Sequence, residues 1–364
     1  MIRTASPVVA VVVAIAASAS LAAPPPPPTG ILAASVGDRV VLVEAGSGLA
    51  AALETGPVGW LYPAPGGILF APDVVNGRTT VIDLRTQAVA DRIDGLTMPH
   101  FGDSPDRYVA LAGDALLVSY PDRALITRIA SPVVNPWQVL MAPDDAAMLV
   151  LERLPDGSTG IHMSVIDLVE RKGLPRVALA GDIVHMALSP KLGLLALADA
   201  GSGRVQLVVP ATVAPVAVRP VGGRPVDVAF VGGGRVLATA VATPDGNGML
   251  DLALFKSGRK GLRLDKEHAL PLGAPPVRVA ASPDGHHLAV ALEDGSLLLV
   301  DVDERVVVAS HRLPGTPRDL RWCDPSRPGP MLPEWSEGEG PTPDFKPFAP
   351  PIGTKKSANG LDHP

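Results

Sequence analysis

The chain comprises 364 residues, of which 47% are apolar and 4% aromatic, with 31 lysines and arginines against 37 aspartates and glutamates. The resulting net charge of -6 argues against a general nucleic-acid-binding protein, because such proteins need a concentrated basic surface to neutralise phosphates. The single cysteine, Cys323, excludes an intramolecular disulfide and a cysteine-based metal knot.

The amino terminus has the parts of a secretory signal. Arg3 precedes an unbroken apolar run over residues 8–17, and small residues follow that run. Ala17-Ser18-Ala19 and Ser20-Leu21-Ala22 both satisfy the small-x-small cleavage rule, so cleavage after residue 19 and after residue 22 are both open. We therefore expect export to the periplasm or the extracellular space.

An uncleaved membrane anchor is the alternative to a signal peptide over residues 1–22. Residues 8–23 are short for a membrane span and rich in alanine and serine, which favours the cleaved signal. We expect no stable membrane insertion after cleavage. Five consecutive prolines then dominate residues 23–30. Such a run is stiff and extended, and we interpret it as a linker, with a recognition role as the alternative.

One pattern of four short strands recurs between residues 31 and 323. In its clearest copy the first strand leads into a Ser282-Pro283-Asp284-Gly285 turn, and the third strand ends at Asp301. The strands predicted for this copy are Val277–Ala281, His287–Leu292, Ser296–Asp301 and Arg305–Arg312. Four antiparallel strands in roughly forty residues are typical of a β-propeller blade.

Less complete copies of this pattern fill the rest of the segment. The turn after the first strand recurs at Ser104-Pro105, Ala142-Pro143 and Ser189-Pro190. The aspartate of the third strand recurs as Asp83 and Asp167. We interpret these aspartates as residues that brace turns through backbone hydrogen bonds, in preference to ligand-binding residues.

The repeats divide into six blades and two incomplete segments. The predicted blades are residues 59–98, 99–135, 136–182, 183–224, 225–275 and 276–316. Residues 31–57 hold three strands without a first strand, and residues 317–322 form a first strand without a blade. Their pairing would remove exposed sheet edges. We predict an all-β, seven-bladed β-propeller of four-stranded antiparallel blades over residues 31–323, closed by a C-terminal strand that completes the first blade.

The repeat resembles the YVTN/lactonase-like β-propeller family. The turn Ser282-Pro283-Asp284-Gly285, the apolar strand after it and the third strand ending in aspartate carry the resemblance, which is strongest in the last blade. The same turn occurs in WD40-like repeats, but the tryptophan-aspartate dipeptide of true WD40 blades is missing. The resemblance implies a secreted or periplasmic propeller and implies no particular reaction.

Polar residues recur at one position of the first strand. Two residues beyond the proline, or its equivalent, stand Gln138, His185, Asp227, Arg278 and Asp319. His100 is a sixth candidate with a looser alignment. Strand alternation predicts that these side chains face a central channel while their apolar neighbours lie between blades. We predict an axial ligand-binding site here; the alternative is a water-filled channel that tolerates any polar residue.

The carboxy-terminal segment differs from the rest of the chain. From residue 324 onward proline, glycine, glutamate and lysine dominate, which predicts a disordered tail over residues 324–364. Met331–Trp335 and Phe345–Phe348 are aromatic islands that could dock a partner or lie on the propeller. The apolar neighbours of Cys323 predict a buried, structural thiol.

No motif of a known catalytic set is present. The sequence lacks Gly-x-Ser-x-Gly and His-Glu-x-x-His, and Arg278 would compete with a metal at the axial position. We expect an exported, monomeric, non-enzymatic module that binds a protein or a small polar ligand, with no cofactor and no nucleic acid. The alternative is a lactonase-like hydrolase that activates a water at the axial site.

Overall fold

The computed structural model describes residues 28–327, apart from residues 74, 95–97, 113, 121, 132, 134, 143–144, 154–160 and 259–260. The predicted signal peptide, most of the predicted linker and residues 328–364 of the predicted tail lie outside these residues. The described part of the chain contains strands and turns and no α-helix. It therefore holds no helix that could cross a bilayer.

Twenty-eight strands are arranged in chain order around the described fold. The first ten are β1 (Ile31–Val36), β2 (Arg39–Glu44), β3 (Gly48–Glu54), β4 (Tyr62–Ala64), β5 (Ile68–Asp73), β6 (Arg78–Asp83), β7 (Ala88–Asp94), β8 (Arg107–Ala112), β9 (Asp114–Ser119) and β10 (Leu125–Ile129). The next nine are β11 (Pro136–Met141), β12 (Ala147–Arg153), β13 (Ile161–Asp167), β14 (Lys172–Gly173), β15 (Val177–Leu179), β16 (Ile183–Ser189), β17 (Leu194–Asp199), β18 (Arg204–Val208) and β19 (Pro215–Pro220). The last nine are β20 (Arg224–Val231), β21 (Val236–Ala242), β22 (Gly248–Gly258), β23 (Gly261–Pro271), β24 (Pro276–Ala281), β25 (His287–Leu292), β26 (Ser296–Asp301), β27 (Val306–Arg312) and β28 (Asp319–Cys323).

These strands form seven antiparallel sheets, which are the blades of the propeller. Blade 1 has the order β28-β1-β2-β3, and blades 2 to 7 follow along the chain from β4 to β27. The closing strand β28 pairs with β1 from Ser35 opposite Asp319 to Ile31 opposite Cys323. The seven-bladed propeller and its closure by a C-terminal strand are confirmed.

Seven hydrophobic clusters lie between neighbouring blades and complete the ring. The cluster between blades 7 and 1 contains Leu320 and Trp322 of the closing strand, and the cluster between blades 1 and 2 contains Cys323. One strand at the carboxyl end thus contributes to two interfaces. Each blade is covered on both faces by its neighbours, so the ring leaves no apolar sheet face open.

The burial of the strands explains their sequences. Second strands such as β5, β17 and β25 are buried at every position, because both of their faces pack against another blade. They therefore read as continuous apolar runs. The outermost strands β7 and β27 hold only exposed and half-buried residues, which alternate throughout β7, as expected for the solvated rim.

Turn residues behave as the repeats predict. In the turn after β24, Oδ1 of Asp284 accepts a hydrogen bond of 2.9 Å from the backbone N–H of His286, and Gly285 adopts a φ of 77° that favours glycine. The third-strand aspartates brace the next turn. Asp83, Asp167 and Asp301 accept backbone N–H bonds of 2.8 Å each from residues two or three positions later.

Blade 3 departs from the four-strand pattern. Its first strand is reduced to one bridge, in which His100 pairs with Val109. Proline at position 99 and glycine at position 102 flank this bridge, and both residue types weaken a strand. The described residues of this sheet therefore form three strands and a bridge.

The first four residues of the predicted tail form a turn on the propeller. The backbone N–H of Gly66 donates to the carbonyl of Arg327 at 3.0 Å, and the Arg327 side chain donates to the carbonyl of Gly102. Residues 324–327 therefore cross blade 2 and reach blade 3.

Candidate functional site

A β-bulge sets the register of the first strand in blades 4 to 7. The residues directly after the bulge are Gln138, His185, Asp227 and Arg278. Asp319 occupies the equivalent position of the closing strand. In blade 2 the pairings of Val58 and Tyr62 with the second strand place Trp60 at the same position. The four residues after a bulge and these two stand opposite equivalent positions of their second strands, so the six share one register, which we call the axial row.

The orientation of the axial row differs from the prediction that its side chains all face a channel. Both faces of a first strand pack against other blades: Val279 lies in the cluster between blades 6 and 7, and Ala280 in the cluster between blades 7 and 1. Gln138, Asp227 and Asp319 are 7%, 1% and 2% exposed. Successive side chains of a first strand point alternately toward the preceding blade and toward the following blade. Short side chains of this row are therefore enclosed between two blades.

Three members of the axial row bind the backbone of the following blade. Gln138 exchanges two hydrogen bonds with the backbone of Met186, one of 2.7 Å to its Oε1 and one of 2.8 Å from its Nε2. Asp227 accepts from the N–H of Val279 at 2.9 Å. Asp319 accepts from the N–H of Leu61 at 2.8 Å. These side chains therefore act as clasps between blades 4 and 5, 6 and 7, and 1 and 2.

His185 extends the clasps into a chain across four blades. Its Nδ1 lies 2.7 Å from Oδ1 of Asp227, and its Nε2 lies 3.1 Å from Nε2 of Gln138. Burial alone would raise the pKa of the Asp227 carboxyl, but His185, Arg278 and the N–H of Val279 outweigh it and lower that pKa. Asp227 is therefore held as a carboxylate, and its oxygens are occupied by protein donors.

A second row lies two residues further along the first strands. Arg321 stands opposite Ala33, Tyr62 opposite Phe70 and His100 opposite Val109, which are equivalent pairings of blades 1, 2 and 3. His100 thus belongs to this row and not to the axial row. The sequence analysis missed Arg321 and Tyr62, although each stands two residues beyond an axial-row residue and hence on the same strand face.

Arg321 lies near the propeller axis. Its Nε donates to Oδ2 of Asp319 at 3.0 Å, while its side chain is 36% exposed. Burial opposes its charge, but Asp319, Tyr62 and Asp227 together raise its pKa. Since these three residues come from blades 1, 2 and 6, the guanidinium must reach the centre of the ring.

Tyr62 and His100 share the second row with Arg321, and both lie within reach of its charge. Their rings meet edge to face with centroids 5.1 Å apart. Burial, with a smaller contribution from the charge of Arg321, lowers the pKa of His100 to about 3. Burial also raises the pKa of the Tyr62 hydroxyl. At neutral pH the site therefore presents a neutral imidazole, a neutral phenol and one guanidinium.

Arg278 brings a second guanidinium to the axial row. Its Cζ lies 5.7 Å from the ring centroid of Trp60, a cation-π distance, and its Nη1 donates to the carbonyl of Val277 at 2.8 Å. Its buried Nε has no hydrogen-bond partner among the described residues. Arg278 therefore keeps donors that the described fold leaves unused.

The comparisons with known proteins show the fold and no family. No protein-family model matches the chain, and no curated relative matches it either. The β-propeller domain of Cps50 (Swd1) from Myceliophteria thermophila superposes with a TM-score of 0.55 at 14% identity, covering 73% of this chain and 89% of that one. At such identities the likeness establishes the propeller architecture alone.

Two further solved structures share the architecture. Hydrazine synthase of Kuenenia stuttgartiensis superposes with a TM-score of 0.54 at 18% identity, covering 68% of this chain and 77% of that chain. The dihydro-heme d1 dehydrogenase NirN, in complex with DHE, gives a TM-score of 0.53 at 13% identity, covering 80% and 74% of the two chains. The same architecture is thus found in enzymes as well as in the Cps50 propeller domain.

The described residues do not assemble a metal site. No group of three or more histidine, cysteine, aspartate or glutamate side chains among them is arranged to hold an ion. The adjacent pair His286 and His287 is split between two environments: His286 lies 3.0 Å from Asp303 on the surface, whereas His287 is 1% exposed. The chemistry available at the axis is therefore that of guanidinium, phenol, imidazole and carboxylate groups.

Cys323 is expected to be unreactive in the folded protein. The thiol is 2% exposed, and burial raises its pKa to about 12, so almost no thiolate forms at neutral pH. A maleimide reagent at pH 7.5 should label the native protein far more slowly than the protein in denaturant. Equally rapid labelling in both states would show that the closing strand opens readily and would contradict its packing.

Proposed function

We propose that the chain is an exported β-propeller that binds a small polar ligand at its axis and catalyses no reaction. The observation that carries the proposal is Arg321, whose side chain is 36% exposed and forms a single hydrogen bond to the described fold. A structural arginine normally uses several of its five donors. Donors left open at the centre of a rigid scaffold suit the binding of a ligand.

The proposal that the module is non-enzymatic is supported by the occupancy of the axial acids and bases. Asp227 accepts bonds from Val228, Val279 and His185, and Asp319 accepts from Leu61 and Arg321. A general base needs a free lone pair within reach of the proton it removes. Both oxygens of Asp227 and Oδ2 of Asp319 therefore accept bonds from the protein itself.

A lactonase-like hydrolase is the second candidate, and one distance favours it. The 2.7 Å contact between His185 and Asp227 resembles the pair in which a carboxylate orients a catalytic imidazole. The outer nitrogen of this imidazole lies against the Gln138 amide at 3.1 Å, which favours the structural role. Hydrolysis of any member of a lactone and ester panel that disappears in His185→Gln would support the hydrolase and overturn the binding-only proposal.

Export and family membership are part of the same proposal. The signal-like residues 1–22 support export, and the turn of Ser282–Gly285 with its flanking strands supports a place beside the YVTN/lactonase-like propellers. Cell fractionation tests the first point. The full chain should reach the periplasm or the medium, and a chain lacking residues 1–22 should stay in the cytoplasm; identical distribution of the two would refute export.

Ligand binding is tested by thermal unfolding of the chain from residue 23 onward. Each member of a panel of sugars, amines, carboxylates and phosphates is added in turn, since a ligand at 100 times its Kd stabilises a protein by about 2.7 kcal/mol. We expect at least one class to raise the Tm, and Arg321→Ala to abolish that rise. The matched control is Arg312→Ala, a rim residue whose side chain is 67% exposed. A panel without effect, or an equal effect on both variants, would overturn the proposal.

A further inference from the structure

We infer that the axial ligand is a singly charged carboxylate with an apolar or aromatic body, bound by the outer edge of Arg321. This inference rests on the proposed binding function and names its ligand class.

The free edge of Arg321 has the geometry of a carboxylate receptor. Nε is engaged with Asp319, so the two Nη groups remain, and neither donates to another described residue. A guanidinium presents such an edge as a planar fork that matches the two oxygens of one carboxylate. The bond to Asp319 also fixes the plane of the fork, which reduces the entropy lost when a ligand binds.

The neighbouring groups complement one carboxylate further. Neither the Tyr62 hydroxyl nor the ring nitrogens of His100 form a hydrogen bond with another described side chain. Both side chains stand close enough to Arg321 for its charge to influence their ionisation. A neutral phenol is able to donate to an anion without adding charge. The second row thus supplies one cation and neutral donors.

The charge around the axis favours a ligand with one negative charge over a dianion. Arg278 and Arg321 contribute two positive charges, and Asp227 and Asp319 contribute two negative charges. An anion bound at Arg321 is repelled by these carboxylates in proportion to its own charge, and such repulsion is costly at low dielectric. A single carboxylate is therefore repelled less than a phosphate dianion, while a cation is repelled by the guanidinium groups.

The residues of blade 2 determine which chemical group attached to the carboxylate fits the site. Trp60 and Tyr62 occupy its axial and second rows, and Arg278 lies 5.7 Å from the Trp60 ring. These two aromatic rings, one in β4 and one just before it, offer apolar surface to the group that carries the carboxylate. Aromatic and aliphatic monocarboxylates therefore fit better than sugar acids rich in hydroxyl groups.

The test is isothermal titration of the chain from residue 23 onward with matched probes. Phenylacetate and hexanoate are compared with their neutral amides and with phenyl phosphate. We expect each carboxylate to bind about tenfold or more tightly than its amide, which lacks the charge-assisted bidentate contact, and more tightly than phenyl phosphate, whose second charge the axial carboxylates repel. Equal binding of carboxylate, amide and phosphate would overturn the carboxylate class, while leaving binding at the axis intact.

Variants locate the site. Arg321→Gln should weaken carboxylate binding about tenfold or more, Arg321→Lys should recover part of it, and Arg318→Gln, an exposed change just before β28, should leave it unchanged. If Arg321→Gln fails to fold, Tyr62→Phe provides a second test of the site. This change should weaken the binding of carboxylates more than the binding of amides. Carboxylate affinity that persists in both Arg321→Gln and Tyr62→Phe would overturn the inference. If no probe and no member of the wider panel binds, the proposed function itself falls.

Discussion

A chain that ends at Thr316 is expected to remain unfolded, whereas a chain that ends at Arg327 is expected to fold like the full-length protein. The shorter chain lacks β28, whose Leu320 and Trp322 are 2% and 8% exposed in the cluster between blades 7 and 1. Loss of one such buried side chain costs about 2–5 kcal/mol, and a whole domain is stable by only about 5–15 kcal/mol. The loss of both side chains, together with the unpaired edge of β1, therefore costs more than the free energy that stabilises the folded ring.

Circular dichroism, size-exclusion chromatography and limited proteolysis compare the two truncated chains. The chain ending at Arg327 keeps the contacts of residues 324–327 with blades 2 and 3, so it is the matched control. The shorter chain should aggregate or be digested, because an open ring exposes an edge strand and one face of blade 7. A monomer ending at Thr316 with a cooperative unfolding transition would contradict closure by β28.

Asp227→Ala is expected to lower the free energy of unfolding by about 3–5 kcal/mol, the usual cost of removing one partner of a buried, hydrogen-bonded charge pair. Its carboxylate bridges blades 6 and 7 through Val279 and holds His185 at 2.7 Å. Urea denaturation gives the value. Asp303→Ala is the matched control, since its partner His286 is exposed, and a surface pair contributes at most about 1 kcal/mol. Equal, small effects of the two changes would show that Asp227 does not clasp the blades.

The contribution of Asp227 should also depend on pH with a defined sign. Its folded-state pKa is lower than the ordinary value of 3.8, so the folded state favours the carboxylate. The stabilisation is then complete above the unfolded-state pKa and is lost as the pH falls through the lower, folded-state pKa. The difference between the wild type and Asp227→Ala should therefore shrink in acid. A difference in the free energy of unfolding that grows below pH 3.8 would contradict the prediction that the folded protein holds Asp227 as a carboxylate.

The architecture could be predicted because each blade repeats local signals. In the last blade, His287–Leu292 and Ser296–Asp301 were predicted with the bounds they have in the structure, since turns with Pro, Asp and Gly mark both ends of the apolar runs. Blade 3 shows the limit of such signals. The repeats assign residues 99–135 to a blade, but the first strand of that blade is reduced, among the described residues, to the His100 bridge.

The candidate site could be predicted in register but not in orientation. Counting from proline found Gln138 and Asp227, because the bulge shared by blades 4 to 7 keeps that count constant, and Asp319 stands at the equivalent position of the closing strand. The same count could not tell that their short side chains turn toward the next blade. Arg321 could not be predicted as a site residue in this way. Its guanidinium reaches the axis only because the side chain is long and because the closing strand β28 completes the ring.

A crystal structure of the chain from residue 23 onward, soaked with the tightest-binding monocarboxylate, would show whether Arg321 binds the ligand. We expect electron density for the ligand on the propeller axis, with both carboxylate oxygens within hydrogen-bond distance of the Nη atoms of Arg321 and with its body against Trp60 and Tyr62. A ligand bound elsewhere on the propeller, with only water beside the Arg321 guanidinium, would contradict it.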